Sequence, residues 1–283
     1  MIGVPVSLRG VDRGDVTVWI DQVRAFAERS LRELSGNRIM LFWAFVFPSV
    51  MYLLSVELGP TDTGSIQRAV MAVANGMFGS MFVCLFIFGE QLVTDVEDQR
   101  YEVYRALPIH PFADLMGRMV SVLCFAFGAF ASTLFVAALT GASFDLHGVS
   151  SVLITVVAGT LCCVLWMVVA VPVVVVTEDE RYAGFITTGI AVGTFMLTGY
   201  NGVLPALFPF EEWLLNYLPN ALPTRLLVSH LVDVDQSVAI ELSRAALPTN
   251  TAYLGLLMGY AVVCLTVGSA VFHRSLYKRG EWS

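Results

Sequence analysis

The sequence predicts an all-α integral membrane protein: six transmembrane helices, an N-terminal amphipathic interfacial helix and a re-entrant helical pair before the last span. Three observations carry that prediction. The chain of 283 residues is 57% hydrophobic and only 14% charged, whereas a soluble domain is about one-quarter charged. Its apolar residues gather in continuous runs near the ~20 residues that a helix rising ~1.5 Å per residue needs to cross ~30 Å of hydrocarbon. Thirteen of its sixteen basic residues fall on one side of the membrane if the N-terminus is cytoplasmic, which is the bias that orients membrane proteins.

Taken in order, residues 1–38 form a cytoplasmic N-terminus. Within it, Trp19, Ile20, Val23, Phe26, Leu31 and Leu34 recur at helical spacing, and Asp21, Arg24, Glu28, Arg29, Arg32 and Glu33 fill the other face. Such a helix directly before a span is expected to lie in the interface with its apolar face among the lipid headgroups; docking on a soluble partner is the alternative. The first apolar run begins near Ile39, after this charged helix, so no cleavable signal peptide is expected. The transmembrane domain covers 39–273, with spans at about 39–58, 68–93, 115–139, 151–176, 182–203 and 251–272. Pro48 is expected to kink the first. The backbone must satisfy itself in lipid, so these runs read as helices, and they lack the alternation of barrel strands.

The outer segment 204–250 does not fit a solvent loop. It carries Pro205, Pro209, Pro219, Pro223 and Pro248, yet its middle is too apolar for water and too broken to span. A re-entrant or interfacial pair of helices is the compromise, with Trp213 and Tyr217 suited to the interface. A tail, 274–283, returns to the cytoplasm. The expected location is the cell membrane, multi-pass, with both termini cytoplasmic.

Several chemistries are excluded. The one lysine, Lys278, follows Tyr277 and forms no P-loop, so the chain is expected to bind no nucleotide in that way. Cys84, Cys124, Cys162, Cys163 and Cys264 lie inside apolar runs without metal-ligand spacing and read as small buried hydrophobes. His110, His147, His230 and His273 are scattered at span ends, and Glu211-Glu212 has no histidine at helical spacing. No catalytic, cofactor or metal site is therefore predicted. Net charge −7 gives no basic face for nucleic acid. Glu57, Arg68, Glu90 and Asp114 sit near span ends, so no ion relay crosses the apolar spans.

One polar segment stands out. Between two apolar runs, the hairpin 94–118 reads TDVEDQRYEVYRALPIHPFADLMGR. A charged helix stopped by Pro108 and Pro111 is more than a turn requires. Asp95, Glu97, Arg100, Glu102, Arg105 and Pro108 are the candidate contact residues for another protein. Asp179 and Glu180, in the short turn TEDER, are a lesser candidate.

In this order of features the chain resembles the type-2 permeases of ATP-binding-cassette exporters, a group that includes drug-resistance and polysaccharide or lipid export permeases. Asp95, Glu97 and Glu102 take the acidic places of that family's first cytoplasmic loop, Pro108 its proline, and Gly117-Arg118 its Gly-basic pair. Gln99 stands where the family has glycine, which leaves open a helix that runs through the turn. The resemblance implies a membrane-spanning subunit that forms a translocation pathway as a dimer of permeases. It implies a coupling helix at 97–108 seated on a separate ATPase subunit, which would bind the ATP, and an amphipathic or lipid-like substrate. An ion-gradient-driven secondary transporter and a membrane-embedded enzyme are the alternatives.

Overall fold

The computed structural model describes residues 13–58, 64–146, 148–177, 180–233, 246–272 and 274; the side chains at 13–15, 105, 111 and 180 fall outside that description. Among the described residues the fold is all-helical, with no strand. Five of the described helices are long and apolar enough to cross a membrane.

Helix α1 (Arg13–Gly36) carries two i,i+4 ion pairs, Arg24–Glu28 and Arg29–Glu33, both at 2.9 Å. Pairs of this kind contribute about 0.2–0.5 kcal/mol each. Asn37 then breaks the chain and caps the next helix, its Oδ1 accepting from the backbone of Ile39 and Met40. Helix α2 (Arg38–Glu57) contains a wide turn of i→i+5 type at Phe42–Val46, immediately before Pro48. That extra residue absorbs the hydrogen bond proline cannot make. Pro48 packs on Gly79, where a Cβ would come within 2.5 Å of the proline ring.

Helix α3 (Ser65–Glu97) is the hub: 94% of its most apolar window is buried inside the bundle, against 28% for α2. Its 33 residues span about 50 Å, more than the hydrocarbon needs. A second wide turn interrupts it at Val83–Ile87. After the short helix α4 (Arg100–Ala106), helices α5 (Pro111–Leu139) and α6 (Val149–Thr177) pack around α3. Arg68 donates to the carbonyl of Thr140, placing a cation where α5 ends and its dipole is negative.

Helix α7 (Glu180–Leu197) has 18 residues and begins with Glu180 and Arg181. It is not among the five apolar helices. The expectation that it runs to Val203 is corrected. Gly199, Tyr200, Asn201 and Gly202 all have positive φ (64°, 55°, 56° and 81°), so the chain reverses in a left-handed turn. The segment beyond contains two single 3₁₀ turns, Pro205–Leu207 and Glu212–Asn216, before α8 (Ala221–Leu231). Among the described residues that segment holds one α-helix; residues 234–245 of the expected pair lie outside the described residues. Helix α9 (Ala252–Phe272) packs on α6 and is the most exposed of the five apolar helices, with 17% of its window buried.

Candidate functional site

The hairpin between α3 and α5 is built around a turn that the helix cannot run through. Asp98 ends α3, and Gln99 adopts φ 56°, ψ 24°. Left-handed backbone at a residue with a Cβ costs about 1–2 kcal/mol. Gln99 thus takes the turn conformation that glycine would take freely, and the possibility of a continuous helix is ruled out. Leu107 and His110 are extended, as residues before proline are. Pro111 then starts α5, with His110 Nδ1 accepting from Phe112 N.

Helix α4 has two faces. Tyr101 and Tyr104, three residues apart, point inward and are 3% and 7% exposed. Glu102, Val103, Ala106, Leu107 and Pro108 face outward, as do Glu97, Asp98 and Gln99 before the helix. Val103 and Leu107 are apolar yet half exposed.

Beneath α4 lies a buried ionic network. Arg118 Nε donates to Asp114 Oδ1 at 2.8 Å, Nη1 donates to the Gln91 carbonyl at 3.2 Å, and Nη2 pairs with Asp95. Arg100 closes the other side through Asp95 Oδ1 at 2.8 Å and Asp98 at 2.9 Å. Asp95, Asp114 and Arg118 are at most 5% exposed. The buried members are two aspartates and one arginine, and the partly exposed Arg100 supplies a second cation to Asp95, which is what makes burial of the group tolerable. Gly117, next to Arg118, acts through its lack of a side chain, since a Cβ there would lie 2.5–2.9 Å from Phe26 and the α1 backbone. Glycine lets α1 seat directly on α5, while arginine supplies the central cation.

Helix α1 is fastened to the hairpin at three points and to α3 at a fourth. The Gln22 amide donates to Pro108 O and accepts from His110 N, both at 3.1 Å. Arg29 Nη1 donates to Tyr104 Oη at 2.5 Å. Arg100 approaches Glu33 at 3.8 Å, and Ser30 and Gln91 hydrogen-bond to each other. Burial and the nearby Asp95 carboxylate raise the Tyr104 pKa, outweighing Arg29 and Arg118, so the phenol stays protonated at neutral pH.

These placements divide the predicted contact residues. Glu97, Glu102 and Pro108 are on the open face. Asp95 is corrected: at 1% exposure it is an internal tie, out of reach of a partner. Arg100 is partly open but engaged by Asp95 and Asp98. Arg105 is on α4 and Glu180 begins α7, with side chains outside the description; Asp179 lies outside the described residues. On α1, Leu34 is fully buried and Trp19, Val23, Phe26 and Leu31 are partly buried, while Ile20 is 52% exposed. Much of the apolar stripe therefore meets protein. Sequence reasoning missed Gln22, Arg29, Val103 and Leu107. A glutamine interrupting the α1 apolar face, and the Tyr101/Tyr104 spacing that turns Val103 outward, were the available signals.

A second polar node occupies the other end of the bundle. Arg225 on α8 is fully buried and donates to Asn216 Oδ1 and to the Gly202 carbonyl, both at 2.7 Å. Asn220 Nδ2 donates to Thr198 Oγ1 at 2.7 Å and to Asn201 Oδ1 at 3.0 Å. Together they hold the left-handed turn. Among the described residues no group of His, Cys, Asp and Glu could hold a metal ion.

The described residues form a helical bundle with five helices long and apolar enough to cross a membrane and a polar hairpin at one end. The family model for the ABC-2 type transporter matches residues 21–231, from within α1 through α8. The chain belongs to that family, whose members are permeases of ATP-binding-cassette transporters that in general work with an ATPase partner and as dimers. No curated protein matches the chain.

Proposed function

We propose that this chain is the pathway-forming permease of an ATP-driven exporter, acting as a dimer and driven by separate ATPase subunits docked on α4. One observation supports this most: the hairpin is rigid within and open without. Its inner face is locked by Asp95, Arg118, Asp114 and Arg100, and its outer face offers Glu97, Glu102, Val103, Leu107 and Pro108. A push on such a unit reaches α1, α3 and α5 together. The outer face suits a partner groove with an apolar floor for Val103 and Leu107 and a basic rim for the carboxylates.

In this reading α7 is the fifth of six spans, 204–250 is re-entrant from the outer side, and α1 lies along the inner interface while gripping α5. The arginine bias puts both termini in the cytoplasm. ATP is bound by the partner and no cofactor by this chain. The cargo is amphipathic. Purified alone, the chain is expected to hydrolyse no ATP, and pulled from its native membrane it is expected to bring a separate ATPase subunit. Vigorous hydrolysis by the isolated chain would remove this reading.

A further inference from the structure

Helix α9 turns one face to the bundle and leaves the rest bare. Leu257, Ala261, Gly268 and Phe272 are buried, and Gly268 lies so close to Val168 of α6 that a Cβ there would clash with it. On the bare side, at the last turns of the helix, is a groove of about 320 Å³, at the lower end of the range for small-ligand sites. Among the described residues it is lined by Thr266, Val267, Ala270, Val271 and Arg274. All but the half-buried Val271 are exposed. Tyr101 of α4 meets Phe272 edge-on at 6.0 Å, which fixes the groove at the hairpin end of the bundle.

The depth of the groove suits an amphiphile. The 21 residues of α9 rise about 31 Å, close to the ~30 Å of hydrocarbon that a span must cross. Arg274, two residues past Phe272, therefore sits at headgroup level, and Thr266, eight residues earlier, lies about 12 Å deeper among the acyl chains. The groove joins these two levels. Its walls are apolar apart from two groups. The Thr266 hydroxyl is turned onto its own helix, where it donates to the Val262 carbonyl. The guanidinium of Arg274 is then the one polar group that the described walls offer an occupant. The opposite end of the helix begins at Asn250, Thr251 and Ala252, none of them charged.

Charge complementarity selects the headgroup. Arginine offers a planar fork of donors that matches a phosphate in a bidentate manner. The ammonium of a zwitterionic headgroup would need an acidic partner, and none of the described lining residues is acidic. We propose that this groove binds an anionic phospholipid of the surrounding bilayer, with an acyl chain along Val267, Ala270 and Val271 and the phosphodiester on Arg274. The occupant is a resident of the membrane, since the groove opens on the bare side of α9, away from the bundle. That the leaflet concerned is the inner one rests on the permease reading above.

Native mass spectrometry of the full-length chain in detergent, titrated with phosphatidylglycerol or with phosphatidylcholine of the same acyl chains, tests it. Phosphatidylglycerol is expected to bind its first site about fivefold more tightly, the effect of one basic residue at an anionic membrane surface. Arg274→Gln is expected to abolish that preference while phosphatidylcholine binding is kept. Ala270→Phe, at an exposed position, fills the groove and is expected to weaken binding of both lipids. Arg32→Gln, an exposed cation on α1, is expected to leave the preference intact. Glycerol 3-phosphate, an anion without acyl chains, is expected not to compete. A preference that survives Arg274→Gln, unchanged binding in Ala270→Phe, or an equal loss in Arg32→Gln overturns the site. Competition by glycerol 3-phosphate would reduce it to a bare anion contact and overturn the lipid assignment. ATP-driven transfer of labelled phosphatidylglycerol in proteoliposomes, stopped by Arg274→Gln, would make the groove a port for cargo and overturn the resident lipid. Binding needs no ATPase, so the two readings fail separately: an assembled transporter that exports nothing with ATP removes the permease reading and leaves the binding results standing.

Discussion

The two polar nodes of this protein sit at opposite ends of one helical bundle and solve burial differently. Near the hairpin, Arg118 is met by formal charges, Asp95 and Asp114, contributed by two different helices. At the far end, Arg225 donates to the carbonyl of Gly202 and the amide oxygen of Asn216, with the Glu212 carboxylate within electrostatic range. Ion pairing binds separate elements into one stiff unit. Carbonyl and amide acceptors instead shape a single unusual turn. The first arrangement suits a part that must receive force without deforming. The second suits a part whose job is to hold a local conformation.

The sharpest way to break this contrast is to remove each cation in turn. Arg118→Met strands two buried carboxylates and is expected to cost about 3–5 kcal/mol, the range for breaking a buried ion pair from one side. Thermal unfolding in detergent would show it as a large drop in Tm, and adding Asp95→Asn and Asp114→Asn should recover much of the loss. A small effect of Arg118→Met would mean that water reaches the network. Arg225→Met removes the donors to the Gly202 carbonyl and the Asn216 amide oxygen and is expected to cost less, about 1–3 kcal/mol. Hydrogen exchange should then rise at 198–204 while the hairpin remains protected. Equal losses at the two sites, or spread of the second effect to the hairpin, would erase the distinction.

Much of this was legible before the structure. Apolar runs and arginine placement announced a helical membrane protein, and the charged insert at 94–118 marked the hairpin. What was not legible shares one physical cause: a sequence shows which face of a helix is apolar or charged, not what covers it. Asp95 reads as a surface acid because nothing local reveals that Arg118, 23 residues later, returns to neutralise it. The apolar stripe of α1 reads as lipid-seeking because Gly117, which makes room for it, lies on α5. The end of α7 was a different failure. Asn201-Gly202 is a turn signal, but a hydropathy window averages it into the neighbouring apolar residues. Gln99 shows the limit in reverse: a residue poorly suited to a left-handed turn adopts one because the surrounding network fixes both flanks.

On the proposed function, α4 and its preceding turn form the surface on which an ATPase acts. The most direct measurement is ATP turnover coupled to transport in proteoliposomes holding the partner ATPase and either the wild-type chain or its Glu97→Arg/Glu102→Arg variant. Both side chains are exposed, so membrane insertion and Tm should be retained. The account predicts that transport per ATP hydrolysed collapses in the variant. Coupling at the wild-type level, in a variant that inserts and folds normally, would contradict it.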